Sequence, residues 1–133
     1  MTSKLCNTIA NIKLGLKTKR LSVRVHNTKF LRVFLQRLID LGYLRGFSVI
    51  GPTGQKLQVY LKYDENFSPV IKELTSISKS SKRVYFTFNK ILNTYSRGEI
   101  YLISTSFGLL SSSEIVYNRL NVGGEVLTKI SFF

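Results

Sequence analysis

Two short stretches near the C-terminal end hold the side chains best suited to recognition chemistry: Ser104-Thr105-Ser106-Phe107-Gly108 and, one segment later, Gly123-Gly124-Glu125. Ser and Thr hydroxyls donate and accept hydrogen bonds, so they match base edges and ribose 2′-hydroxyls of a folded nucleic acid. The small residues beside them let the backbone approach such a ligand closely. Glu125 can accept from an exposed base amine or hold the serine turn in shape, and the second role is favoured.

Catalysis finds little support in the same residues. The carboxylates Asp40, Asp64, Glu65, Glu73, Glu99, Glu114 and Glu125 are scattered, with no spacing that pairs two on one strand or helix face. No G-x-S-x-G elbow surrounds Ser104 or Ser106, and the lone His26 belongs to a distant segment, more a surface or packing residue than a base. P-loop and metal-ligand spacings are absent, and Cys6 alone makes neither a disulfide nor a cysteine-rich zinc site. The expectation is therefore no catalytic residue, no metal, no cofactor and no small-molecule substrate.

Charge points to an acidic partner. The 133 residues hold 20 Lys and Arg against 7 Asp and Glu, a net charge of +13, and the pI is near 10.1. Nucleic acid ranks ahead of membrane lipid for such a balance. With 44% hydrophobic residues the chain can bury a core of one domain or two small subdomains. No apolar run approaches the roughly 20 residues that span a bilayer, and the N-terminus lacks the apolar core of a secretory signal, so a soluble intracellular chain is expected.

The elements that must position the two stretches can be read in order. Leu5, Ile9, Ile12 and Leu16 recur at helical spacing, with Lys4, Lys13 and Lys17 off the stripe. Lys17, Lys19 and Arg20 form a denser cluster that either contacts phosphate or is merely solvated. Alternation of Leu21, Val23 and Val25 marks a strand. Asn27 or Thr28 then caps a helix over 29–41 with Phe30, Phe34, Leu38 and Leu41 on one side and Gly42 as its stop. Lys29 opposes the macrodipole at that helix start, so with Thr28 it is placed for a phosphate, a tolerated surface lysine being the alternative. A hairpin follows over 46–63 around Gly51-Pro52-Thr53-Gly54, and its second strand shows a polar face of Lys56, Gln58, Tyr60 and Lys62, either a nucleic-acid platform or a solvated sheet face.

Asp64-Glu65-Asn66 is a polar break, taken as the boundary between subdomains 1–65 and 66–133. Ser68-Pro69 predicts a short helix anchored by Val70, Ile71 and Leu74. The segment 78–83, with Lys79 and Lys82, reads as a basic flexible loop feeding a strand over 84–88, and 89–95 reads as a short helix or turn. Ile100-Tyr101-Leu102-Ile103 is a buried strand emptying into the serine turn. Ser111 and Glu114 have capping-box spacing for a helix through Leu120, Asn121 and Gly123 then tolerate left-handed backbone, and a last strand runs over 125–133.

The order Ser104-Thr105-Ser106, Gly108, a helix, Gly123-Gly124-Glu125 and a closing strand resembles the C-terminal signature of the small-ribosomal-subunit protein eight family, in its bacterial and organellar form. The resemblance extends back through Leu61-Lys62-Tyr63 and Gly42-Tyr43 and covers nearly the whole chain. It implies an α+β fold, an N-terminal α-β-α-β-β subdomain packed against a mainly β C-terminal one with short helices. It also implies a structural component of the small ribosomal subunit, with central-domain rRNA and neighbouring small-subunit proteins as partners and binding as an early assembly step. By that resemblance Ser104, Thr105 and Ser106 match the RNA-recognising turn, Gly108 its tight bend, and Gly123, Gly124 and Glu125 the neighbouring loop.

Two departures stand out. The family stiffens the loop corresponding to 78–83 with proline and glycine, which this chain lacks, and Phe107 stands where a basic residue is common. Phe107 can then stack on RNA or meet a neighbouring protein. Tyr85 reads either as a ring at the RNA surface or as core packing. The rival functions are a free-standing RNA-binding regulator of translation and, less favoured, a basic protein docking on anionic membranes. A single alanine, Ala10, amid abundant Ile, Phe, Tyr, Asn and Lys suggests an AT-rich genome. With no arginine-rich presequence ahead of the family-like start, the expected site is the ribosome of the mitochondrial matrix, with a plastid or bacterial cytoplasm as alternatives.

Overall fold

The computed structural model describes residues 2–79 and 81–131. It divides into two compact units, Ser3–Lys72 and Glu73 onward. Both combine short helices with antiparallel sheet, so the α+β class expected from the sequence is the one observed.

In the first unit α1 (Thr2–Lys17) buries Leu5, Ile9, Ile12 and Leu16, the stripe expected from their spacing. The sheet is antiparallel in the order β1-β3-β2, from β1 (Ser22–His26), β2 (Leu44–Ile50) and β3 (Lys56–Leu61). Val23, Val25, Leu57, Val59 and Leu61 are all buried, and the α1 backbone at Gly15 lies against the Val23 and Leu61 side chains. The helices therefore cover the aliphatic face.

Helix α2 (Lys29–Asp40) starts at Thr28, whose hydroxyl accepts from the Leu31 N–H at 3.2 Å. Its buried face is Leu31, Phe34, Leu35 and Leu38, whereas Phe30 and Leu41 are only half-buried. The expected stripe is thus rotated, because Leu31 and Leu35 fill the centre while the two ends of the helix lie at the rim.

The helix expected from Ser68-Pro69 does not form. Instead the Asp64 carboxylate accepts from the N–H groups of Asn66 and Ser68, each at 2.9 Å, and Pro69 pairs back on Tyr63. A side chain that satisfies nearby N–H groups in a turn competes directly with helix formation. Phe67 adopts φ 60° there and stacks on Tyr63, with ring centroids 4.7 Å apart. This segment groups with the first unit, which runs to Lys72.

The second unit is built on β8 (Gly124–Ser131). One side of β8 pairs with β4 (Glu73–Ser76) and, nearer its start, with β5 (Tyr85–Phe86). The other side pairs with β6 (Ile100–Thr105), which carries β7 (Gly108–Ser111) beyond it. Phe132 and Phe133, expected to extend β8, lie outside the described residues. Strand β5 is shorter than expected because the Thr87 hydroxyl accepts from the Lys90 N–H and opens α3 (Phe88–Ser96).

Ser111 and Glu114 form the expected capping box at α4 (Ser112–Tyr117), with reciprocal bonds of 3.2 and 3.1 Å. The helix ends earlier than expected. Its left-handed residue is Arg119 (φ 55°), neither Asn121 nor Gly123, and the N–H groups of Arg119 and Leu120 return to Val116 and Ile115. Ile91, Tyr101, Ile103, Ile115 and Val126 form the core of this unit.

The Tyr101 hydroxyl donates to Glu99 Oε2 at 3.2 Å. Burial of the ring, and then the Glu99 charge, push its ionisation above the ordinary 10.0. Its folded-state value is raised, so this stability is intact below about pH 10 and is lost as pH climbs through the higher folded value. Tyr101→Phe should flatten that alkaline loss in part, Tyr63 being raised as well by burial, while costing about 1 kcal/mol at pH 7. Denaturant titrations at neutral pH and above pH 10 measure both effects.

Candidate nucleic-acid interface

The two candidate stretches meet at one end of the second sheet. Ser104 on β6 is the cross-strand partner of Glu125 on β8, and Glu125 is in turn the partner of Tyr85 on β5. Residues in register on neighbouring strands stand on one face about 5 Å apart, so Tyr85, Glu125 and Ser104 form a short row.

Glycine is required beneath that row by space. A Cβ on Gly124 would be driven into the Ser104 carbonyl oxygen, and one on Gly123 into the Phe86 carbonyl oxygen. Neither glycine has positive φ. The pair lets β8 pass between two flanking backbones at a separation no side chain permits.

The serine turn is the tip of the β6–β7 hairpin, with Thr105 paired to Gly108 (φ 106°). Thr105 holds the tip together: its hydroxyl donates to the Gly108 carbonyl at 2.8 Å and accepts from the Phe107 N–H at 3.1 Å. Ser104 and Ser106 are exposed, and among the described residues neither hydroxyl has a protein partner. Phe107 is 65% exposed and Tyr85 66%, which removes the core-packing reading of Tyr85. Strand β7 went unread in the sequence, although Leu109 and Leu110 after Gly108 carry its signal.

Glu125 does not reach back to the serine turn. Its carboxylate takes the Arg83 guanidinium at 3.2 Å, tying the preceding basic segment to β8. That segment is a closed hairpin, with Lys79 and Lys82 exchanging backbone bonds of 2.9 and 3.1 Å. Buried Ser78 closes its base by bonding the Val84 backbone. This local closure stands where the family has proline and glycine; Ser80 lies outside the described residues. Lys79, Lys82 and Arg83 are exposed on it. Arg83 was not singled out from sequence, since its partner lies far along the chain.

Thr28, Lys29 and Lys56 belong to the first unit. The Asn27 N–H donates to the Gln55 carbonyl at 2.9 Å, which brings the start of α2 beside the start of β3 and these three residues to one end. Thr28 is occupied as the cap, and Lys29 and Lys56 are exposed.

A model of the family described as Ribosomal protein S8 matches residues 3–131. The chain belongs to the ribosomal protein S8 family. Small ribosomal subunit protein uS8 of Malacoplasma penetrans is 38% identical over 124 residues, covering 92% of each chain. The uS8 of Salinibacter ruber is 33% identical over 125 residues, 93% of this chain and 92% of that one. The uS8m of Acanthamoeba castellanii is 32% identical over 131 residues, 97% and 99% of the two chains. In this S8 chain the hydroxyl tip, the glycine clamp and the two exposed rings thus share one sheet end.

Gly124→Ala should cost about 1–3 kcal/mol by forcing β6 and β8 apart. Gly46→Ala, where an added methyl meets nothing within 4 Å, should cost well under half as much. Thermal melts of the two variants compare them.

Proposed function

We propose that this chain is a structural component of the small ribosomal subunit that binds the central domain of its rRNA through the Ser104–Gly108 tip and the Gly123–Glu125 clamp. The observation that carries this reading is the unpartnered pair of Ser104 and Ser106 hydroxyls held beside the Gly124 clamp. Thr105 spends its hydroxyl on shaping the turn, leaving its two neighbours to read base edges and ribose hydroxyls of an irregular loop. Tyr85 and Phe107 offer open ring faces for unstacked bases. Lys79 and Lys82 hold phosphates, with Arg83 shared between Glu125 and the backbone of the RNA.

Such a component acts by positioning RNA, with no chemical step. Bound early, it fixes one junction of the central domain and gives neighbouring proteins a surface to join. The compartment proposed is the mitochondrial matrix. The scarcity of alanine supports it, as do relatives named uS8m in Acanthamoeba castellanii and Dictyostelium citrinum beside bacterial ones. Co-sedimentation with mitochondrial small subunits in a moderate-salt gradient is the expected result. A free regulator would stay near the top.

The deciding measurement is binding to a central-domain rRNA fragment across a salt series. Ser104→Ala and Ser106→Ala should each lose discrimination between the correct and an altered loop, by about 5- to 10-fold, with the salt slope kept. Lys82→Ala should keep discrimination and lower the slope by about 0.7–0.9. Uniform weakening by all three would count against a recognition turn.

Phe107→Ala should weaken incorporation into the subunit by several-fold and leave the melting temperature within about 2 °C, because its ring is mostly in solvent. Equal losses in melting and in incorporation would assign Phe107 to folding.

A further inference from the structure

The sheet of the first unit has two outer edges, and they are not alike. Edge strand β2 is irregular, its register shifting between Leu44 and Gly46. Edge strand β1 is regular, with Ser22 to His26 set opposite Tyr60 to Lys56 and no proline among its residues. Bulges and prolines keep a sheet edge from pairing with another chain, and β1 has neither. Hydrogen-bond alternation shows which groups it presents. The Leu61 N–H donates to the Leu21 carbonyl and the Asn27 N–H to the Gln55 carbonyl, each at 2.9 Å. Bonded pairs recur at every second residue of an antiparallel ladder, so Val23 and Val25 also turn their backbone groups toward β3, and Ser22, Arg24 and His26 turn theirs away. Among the described residues β1 has no second strand partner.

At this edge lies a groove of about 370 Å³, lined by Asn11 and Leu14 of α1, by Ser22 and Arg24 of β1, and by Arg20 and Gln58. Leu14 is 59% exposed, and Asn11, Arg20 and Arg24 are exposed with it. The groove thus offers an amide and an aliphatic side chain on its helix side and guanidinium groups beside the strand. Carboxylates are missing from its surroundings. The first acid of the whole chain is Asp40, and it is taken up on α2 by Arg37 at 3.7 Å and Gln36 at 2.9 Å.

We propose that the β1 edge takes an extended segment of another protein as a fourth strand of this sheet, a segment that alternates carboxylates with apolar side chains. The outward N–H and carbonyl groups of Ser22, Arg24 and His26 supply the ladder that holds it, and side-chain alternation supplies selection. Successive side chains of an added strand point to opposite sides of the sheet. Apolar ones on the helix side meet Leu14, and acidic ones on the other side meet Arg24, whose neighbour Val23 is buried beneath α1. A row of alternating donors and acceptors beside an uncharged helix wall matches a peptide backbone better than a phosphate chain, so RNA is the rival outcome of the test. The edge belongs to the first unit alone, and the inference stands whatever the Ser104 end binds.

The test uses the full chain, labelled so that single amides are resolved, and three probes: a short blocked peptide alternating Glu and Val, the same peptide with Lys for Glu, and a plain RNA duplex. At saturation the acidic peptide should slow hydrogen exchange at the Ser22, Arg24 and His26 amides by on the order of tenfold, leaving Val23 and Val25, already bonded to β3, unchanged. The lysine peptide should bind more weakly, and Arg24→Glu should reverse that order. Arg24→Pro removes one outward N–H without touching the bonds to β3, so it should weaken the acidic peptide more than Arg24→Ala does. Thermal melts confirm folding, and if Arg24→Pro does not fold the charge reversal still decides. No protection by the acidic peptide, or equal protection of all five amides, would overturn the inference. Stronger protection of the same three amides by the duplex would overturn it too and assign the edge to nucleic acid.

Discussion

The close passage of the β8 backbone between its neighbours at Gly123 and Gly124 is the constraint from which the rest of the second unit follows. Without a Cβ at either position, the strand lies against the Ser104 and Phe86 carbonyls, and β6, β8 and β5 are drawn into register there. Register then decides which side chains share a face. Ser104, Glu125 and Tyr85 come from segments far apart in the chain, yet pairing alone lines them up. A one-residue slip of β8 would turn Glu125 inward and break the row.

Around this clamp the polar groups divide their labour. Thr105 stabilises the hairpin tip, Ser78 closes the basic hairpin, Ser111 caps α4, and Thr87 caps α3. Each hydroxyl replaces a bond that a strand or helix end would otherwise lack. Ser104 and Ser106 stand apart because they serve no such structural bond. A hydroxyl on a hydrogen-bonded tip, without a protein partner among the described residues, is free to bond elsewhere. Arg83 joins the clamp to the basic hairpin through an ion pair at the surface, where such a pair contributes modestly to stability. It also holds the basic segment beside the row of Tyr85, Glu125 and Ser104.

The first unit shows a simpler division. Helices take the aliphatic side of the sheet, and the outward side keeps cations with almost no acid to balance them. A protein with a net charge of +13 must store that charge somewhere. Here Arg24, Arg45 and Lys56 sit on strands, whose spacing is fixed by the hydrogen-bond ladder, while most of the remaining cations lie on helices and connections. Charges on a ladder keep their geometry when a polyanion arrives, whereas charges on a loose tail must first be ordered.

Sequence alone determined what depends on local spacing and on composition. The helical stripe of α1, a cap at Asn27 or Thr28, the Ser111–Glu114 capping box, the β2–β3 hairpin and the basic balance were all legible, because each is set by neighbours in the chain or by counts. The two recognition stretches were legible as chemistry for the same reason. Tertiary structure decided what depends on partners from afar. Asp64 drew its turn away from helix, Leu31 and Leu35 displaced Phe30 and Leu41 from the centre of the α2 face, and Arg83 took the Glu125 carboxylate. Gly123 was readable as necessary, but for left-handed freedom, whereas it and Gly124 are required by close backbone approach. Conformational freedom is a property of one residue, while the closeness of two backbones belongs to a sheet that exists only once the chain has folded.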